Sequence, residues 1–214
     1  MREVRTGSAQ LRATVDGGIA RIVFDNEERR NALTLEMQRA VTRVLAELGD
    51  DPDVRVVVVS GAGDKAFVSG ADVVEFEASR ANAVTRADYD AVLDAFWTAW
   101  DEFEKPTIAM IRGFCIGGGL LVALKADILV ASDDSQFAAA AAALGAGLVT
   151  WGVDAVLAAV GPAYASELLF SARWVSAVEA LGMGLVNRVV SDPELEAAVL
   201  ELAAQIVATA PATT

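Results

Sequence analysis

The chain has no histidine in its 214 residues. That absence removes Ser-His-Asp and Cys-His catalysis and the commonest zinc ligand. Any proton transfer must fall to Asp, Glu, Tyr, Lys, Cys, water or the substrate itself. Cysteine is nearly absent as well. Cys115 stands alone, which excludes an intrachain disulfide and fits a reducing, cytoplasmic compartment. Basic charge is scarce: 17 Lys and Arg face 30 Asp and Glu, for a net charge of −13. Nucleic-acid binding needs the opposite balance and is not expected. Apolar runs are interrupted by Gly, Lys or Asp before they reach the ~18 residues of a membrane span. The opening "MREVRTGSAQLRATVDGG" holds no apolar signal segment, so the expectation is a cytoplasmic protein without a membrane partner.

What is present is apolar. Such residues make up 54% of the chain, enough to exclude general disorder and to build a sizeable core. "AQLRATVDGGIARIVFD" (9–25) alternates on both sides of Asp16-Gly17-Gly18 and predicts two strands joined by a tight turn. Thr34 sits where an N-cap would precede a helix with the stripe Leu35, Val41, Val44, Leu45 and Leu48. "VRVVVVSG" (54–61), "TIAMIRG" (107–113) and "DILVAS" (127–132) read as strands covered on both faces. A short helix falls near 72–79 and an amphipathic one over 85–104, which Pro106 stops. Phe96, Trp97, Trp100 and Phe103 cluster at its end as core residues. Helices near 153–160, 162–170 and 176–182, a strand in "GLVNRVV" and a helix over 192–209 complete an alternating α/β pattern.

Two stretches carry the candidate chemistry. "VVVVSGAGDKAFVSGADV" (56–73) and "IAMIRGFCIGGGLLVAL" (108–124) share one layout of buried strand, glycine-rich turn and helix start. Turns of this kind leave backbone N–H groups free at a helix N-terminus, and two such amides aimed at one oxygen form an oxyanion hole. On spacing alone they read equally as ordinary strand-to-helix turns. Neither contains a G-x-G-x-x-G or G-x-x-x-x-G-K-[ST] fingerprint.

"NALT" (31–34), "KAFVSGADV" (65–73), "IRGFCIGGGL" (111–120) and "ELLFSARWVSAVEALGMGLVNRVV" (167–190) together resemble the crotonase, or enoyl-CoA hydratase/isomerase, superfamily. The resemblance runs in order over nearly the whole chain. It implies an α/β fold of the crotonase (ClpP/crotonase-like) type, a spiral of ββα units. Residues 1–190 would form the core domain, and 191–214 would begin a C-terminal helical region that is incomplete here. It also implies an acyl-CoA thioester as ligand, with coenzyme A entering as part of the substrate and no tightly bound cofactor or metal. The family assembles as homotrimers or dimers of trimers. Its two oxyanion amides fall on Ala71 and Gly118. Its coenzyme A contacts fall on Ala71, Asp72 and Val73 with Arg29, Arg30 and Ala32, and Arg29, Arg30 and Lys65 become candidate phosphate partners. Ser69, Gly70 and Gly117 complete the lining, and Asp72 in this loop holds structure rather than doing chemistry.

The pattern then departs from a typical hydratase. The two glutamates that hold and activate water in such enzymes correspond to Leu121, in "GGGLL", and Ala141, in "AAAAAA". The aspartate of some dehalogenase and isomerase relatives corresponds to Val149. "LG-x-G" (144–147) and "VGPA" (160–163) resemble a branch of the family that lacks both acids. Remaining polar candidates are Ser69, Tyr89, Glu102, Thr150, Trp151 and Asp154, the last near a helix start where capping explains it best. Cys115 reads as a small core residue. Three functional readings stay open. One is an enoyl-CoA hydratase-like lyase or isomerase. Another is a crotonase enzyme of different chemistry, such as decarboxylation or thioester hydrolysis. The last is a non-catalytic acyl-CoA-binding protein.

Overall fold

The computed structural model describes residues 1–79, 81–139 and 150–209. Strands β2 (Leu11–Asp16) and β3 (Ile19–Phe24) pair antiparallel across Gly17 and Gly18. Their φ values of 55° and 86° supply the left-handed pair that a two-residue hairpin turn requires. Helix α1 (Leu35–Asp50) begins as the sequence predicts, with the Met37 N–H donating to Thr34 Oγ1 at 3.2 Å.

From β3 the sheet continues in parallel through β4 (Val56–Gly61), β6 (Thr107–Ile111), β8 (Ile128–Ser132) and β11 (Arg188–Val190). With β1 (Arg2–Glu3) on the outer edge, the order is β1-β2-β3-β4-β6-β8-β11. Successive side chains of a strand point to opposite faces. Val57 and Val59 therefore join the core that contains Met37, Val41 and Leu45 of α1. Val56 and Val58 pack instead with Leu195, Val199 and Ala203 of α7 (Leu195–Thr209). Both faces are covered, which is why this strand shows no polar alternation.

A second sheet, not expected from the sequence, consists of β5 (Ala66–Val68), β7 (Phe114–Ile116), β9 (Gln136–Ala138) and β10 (Val175–Ser176), in the order β10-β9-β7-β5. The chain now repeats itself. A long strand of the large sheet leads to a three-residue strand of the small one and then to helix. β4 and β5 precede α2 (Val73–Ser79) and α3 (Ala83–Asp101); β6 and β7 precede α4 (Gly118–Ala123); β8 and β9 come before α5 (Thr150–Ser171). This is the expected spiral of ββα units.

Phe96 and Trp100 are buried and Trp97 and Phe103 pack against the same core, as their clustering predicts. In α5, Gly161 adopts φ 74° and ψ 170° and Pro162 follows, so the helix breaks between the two helical stretches the sequence marks out. Gly152–Ser171 is long and apolar enough by composition to cross a membrane. The break leaves two pieces, each too short to span a bilayer. The late strand is shorter than predicted, and Asp192–Glu194 form a 3₁₀ turn ahead of α7.

Candidate functional site

The two glycine loops meet because β5 and β7 are parallel neighbours, and the turns leaving them run side by side. Each turn has one peptide unit fixed by its carbonyl. Gly70 O accepts the Leu33 N–H at 2.8 Å, and Gly117 O accepts the Leu121 N–H at 3.2 Å. No peptide bond here is cis. A trans unit points its N–H opposite to its C=O, so the N–H groups of Ala71 and Gly118 are turned away from those anchors. Among the described residues neither donates to a protein acceptor. They are also close together: a Cβ built on Gly118 would lie 3.4 Å from Ala71 N, and one built on Gly70 3.8 Å from Gly118 N. Two unpaired donors bordering one small space can receive a single anionic oxygen.

The three glycines answer different demands. Gly117 is the N-cap of α4 at φ 55° and ψ −116°, a conformation closed to other residues. Gly118 faces the Ala71 amide, where a side chain would occupy the space in front of both donors. Gly119 touches the neighbouring unit, and a Cβ there would sit 1.9 Å from Val68 O. One glycine shapes the turn, one leaves room, and one lets two backbones touch.

Segment 29–33 clamps the first loop. Besides its bond to Gly70, Leu33 accepts the Asp72 N–H at 2.9 Å, and Leu33 and Ala71 form an isolated parallel bridge. Asn31 is buried at φ 56°; its Nδ2 donates to Ala62 O at 2.9 Å and Ala66 O at 2.7 Å, and its Oδ1 accepts the Asn26 N–H at 3.0 Å. The sequence marks this residue only as the first of "NALT" (31–34). The available signal was an asparagine directly before an N-cap segment, since asparagine tolerates left-handed backbone. Asp72 is also buried. Its Oδ1 accepts the N–H groups of Val74 and Glu75 at 3.0 and 3.1 Å, and its Oδ2 accepts Arg29 Nη1 at 2.5 Å. Burial pushes its carboxyl up, but the Arg29 hydrogen bond, the two backbone donors and the Arg29 charge together hold it below the usual aspartate range. This is the structural role expected of it.

The structure sorts the remaining candidates. Arg29 is committed to Asp72. Arg30 lies at φ 52° with its guanidinium 5.3 Å from the Phe114 ring centre, and Phe114 in turn meets Trp174 edge-on at 5.5 Å. Lys65 is exposed and, among the described residues, forms no ion pair. Ala32 and Ser69 are half-buried; the Ala32 N–H donates to Arg29 O, and Ser69 donates through N–H to Arg30 O and through Oγ to Arg29 O. Val73 is exposed at the start of α2. Leu121 is half-buried on α4. Ala141 and Val149 lie outside the described residues, as do the side chains of Thr150 and Trp151. Asp154 is exposed at the fifth position of α5, past the first turn where a cap acts, so the capping explanation does not hold. Tyr89 is buried edge-on against Phe76, and Glu102 is exposed at the end of α3. Cys115 is fully buried in β7, and burial pushes its thiol up, which makes it inert. A polar hollow of about 380 Å³ beside Arg29, Asp72, Thr34 and Glu75 adjoins the clamp. A larger one of about 660 Å³ lies between α1 and α3, away from both glycine loops; of the candidate residues only Glu102 lines it. The unpaired donors lie at the loops, not in either hollow.

Comparison with known proteins gives the family of the chain. The family model for enoyl-CoA hydratase/isomerase matches residues 14–214. Over 196 residues the chain is 33% identical to the short-chain-enoyl-CoA hydratase of Clostridium acetobutylicum, covering 92% of this chain and 74% of that protein. Over 204 residues it is 35% identical to the carnitinyl-CoA dehydratase of Proteus mirabilis, covering 95% and 77%. Among solved structures, an enoyl-CoA hydratase/carnithine racemase from Magnetospirillum magneticum superposes with a TM-score of 0.90 at 34% identity, covering 95% of this chain and 76% of that one. A Thermobifida fusca protein assigned as an enoyl-CoA hydratase and solved in complex with CoA gives 0.85 at 35% identity, covering 97% and 81%.

Proposed function

The chain belongs to the enoyl-CoA hydratase/isomerase family, and from that premise we propose that it binds an acyl-coenzyme A thioester and stabilises an enolate-like oxyanion on it. The donors are the backbone N–H groups of Ala71 and Gly118. One observation carries the reading: the two amides border one space, unpaired, with a hypothetical Gly118 Cβ 3.4 Å from Ala71 N. Negative charge gathering on the thioester oxygen as a C–H or C–C bond alpha to it breaks, or as a nucleophile adds at the beta carbon, meets both donors. They are already oriented and need no reorganisation. The coenzyme A arm runs along segments 29–32 and 69–73. With Arg29 held by Asp72 and Arg30 over Phe114, Lys65 is the cation most available to its phosphates.

Leu121 favours a second reading of the chemistry. Syn-addition of water needs an acid and a base within hydrogen-bond reach, and an apolar side chain on the turn of α4 nearest the amides supplies neither. Enolate formation without water addition, as in decarboxylation, or binding alone suits such a pocket better than hydration. The deciding experiment mixes purified protein with crotonyl-CoA and follows both binding and loss of the enoyl-thioester absorbance. Binding with negligible turnover is expected. Gly118→Pro removes one donor at the first helical position, where proline is tolerated. It should cut turnover of any proven substrate by about 10²–10³, and unchanged turnover in the folded variant would refute the amide assignment. Leu121→Glu with Ala141→Glu should raise hydration of crotonyl-CoA above the wild-type level.

A further inference from the structure

Asp72 spends its two oxygens differently. Oδ1 caps α2 by accepting the Val74 and Glu75 N–H groups, a task that a neutral asparagine or serine performs equally well. Oδ2 is not needed for that cap. It accepts Arg29 Nη1 from the other side of the clamp, and Arg29 stays largely exposed while Asp72 is 3% exposed. A charge-assisted bond from a buried carboxylate to a surface guanidinium is stronger and shorter than a neutral one, and this one ties together the two segments that meet at the Leu33–Ala71 bridge.

The peptide geometry shows what the tie controls. Leu33 fixes both peptide units that flank Ala71: its N–H holds Gly70 O and its carbonyl holds the Asp72 N–H. Ala71 itself is exposed, and Gly70 at φ 115° holds a backbone conformation that only glycine adopts readily, so no side chain of its own helps to fix the turn. The direction of the Ala71 N–H therefore depends on how firmly segment 29–33 stays against segment 69–72. Arg29 is the hub of that contact, since its carbonyl accepts both the Ala32 N–H and Ser69 Oγ while its side chain grips Asp72. Resting on the amide reading proposed above, we infer that Arg29 and Asp72 form a positioning pair that holds the Ala71 N–H aimed at the thioester oxygen. Neither residue touches the reacting atoms; both act through one peptide unit.

The test uses acetoacetyl-CoA, which gives up its C2 proton to solvent and becomes an absorbing enolate. Its titration midpoint is read at saturating ligand, so that differences in affinity drop out. In the wild-type protein the midpoint should fall below that of the free thioester. Asp72→Asn keeps the α2 cap and loses the charge; Arg29→Gln loses the grip from an exposed site. Each should raise the midpoint of the bound ligand by about one pH unit, a tenfold loss of enolate at fixed pH, while Arg29→Lys restores most of the shift. An unchanged midpoint in folded Asp72→Asn and Arg29→Gln proteins overturns the inference and leaves Asp72 as a helix cap only. Should Asp72→Asn fail to fold, Arg29→Gln decides the matter. A wild-type protein that binds the ligand without moving its midpoint overturns the amide reading itself, and is told apart by that control.

Discussion

At the residue scale the glycine triplet separates a packing requirement from a chemical one. Gly119 presses against the β5 backbone, with a hypothetical Cβ 1.9 Å from Val68 O, and rigid main chain on both sides cannot yield. Gly118 has only ordinary van der Waals contact at 3.4 Å. Gly119→Ala should therefore lower stability by about 3 kcal/mol, at the upper end of overpacking costs. Gly118→Ala should leave the urea midpoint nearly unchanged while obstructing the site. A Gly119→Ala protein as stable as wild type would show that β5 and α4 are not in close contact. Sequence could announce that three glycines in a row needed an explanation. It could not apportion them, because the reasons lie on Val68 and Ala71, some fifty residues back along the chain. Separations of 31 and 35 residues likewise hid Asn31, whose Nδ2 donates to the carbonyls at 62 and 66.

At the scale of elements, what proved legible was whatever repeated over six residues or more. The four-valine run of β4, the hairpin of β2 and β3 and the stripe of α1 all appear where periodicity puts them. The small sheet escaped notice because its strands are two or three residues long, too short for any period, and two of them, β5 and β7, lie between glycines that read as turns. The ends of elements carry electrostatic consequences of their own. The carboxyl of Asp72, at the start of α2, titrates lower when folded than when unfolded. Its contribution to stability is thus fully present above the ordinary aspartate value near 4, and disappears as pH falls through the lower folded value. Urea midpoints measured from pH 7 downward should drop more steeply below pH 4 in the wild type than in Asp72→Asn. Parallel curves would mean that the Arg29 pair is no stronger folded than unfolded.

For the whole molecule the notable surface lies at the end of α5 and on α6 (Ala177–Gly182). Phe170 is 84% exposed, Trp174 53% and Val178 72%, all within a short stretch of an otherwise acidic chain. Nearby charges are already paired, since Arg173 bridges Glu167 and Glu179. An apolar face whose flanking carboxylates share an arginine is where strongly negative copies can approach one another. A homotrimer, or a pair of them, is the assembly we propose. Sedimentation should give a mass about three times the 22.3 kDa of one chain, or twice that. Phe170→Asp with Val178→Asp should shift the mass towards the monomer. A wild-type monomer at micromolar concentration would refute the assembly.

The facing amides of Ala71 and Gly118 also bear on descent. A functional group carried by a side chain disappears with one codon change, whereas a donor on the main chain survives nearly every substitution at its own position. Its persistence is guarded instead by neighbours such as Gly119, whose loss would threaten folding before it touched chemistry. On the reading proposed above, a chain built on this plan could exchange the side chains around the two amides, such as that of Leu121, and keep the donors in place for another reaction. Selection for a foldable chain alone would then preserve the paired amides while the side chains around them drift.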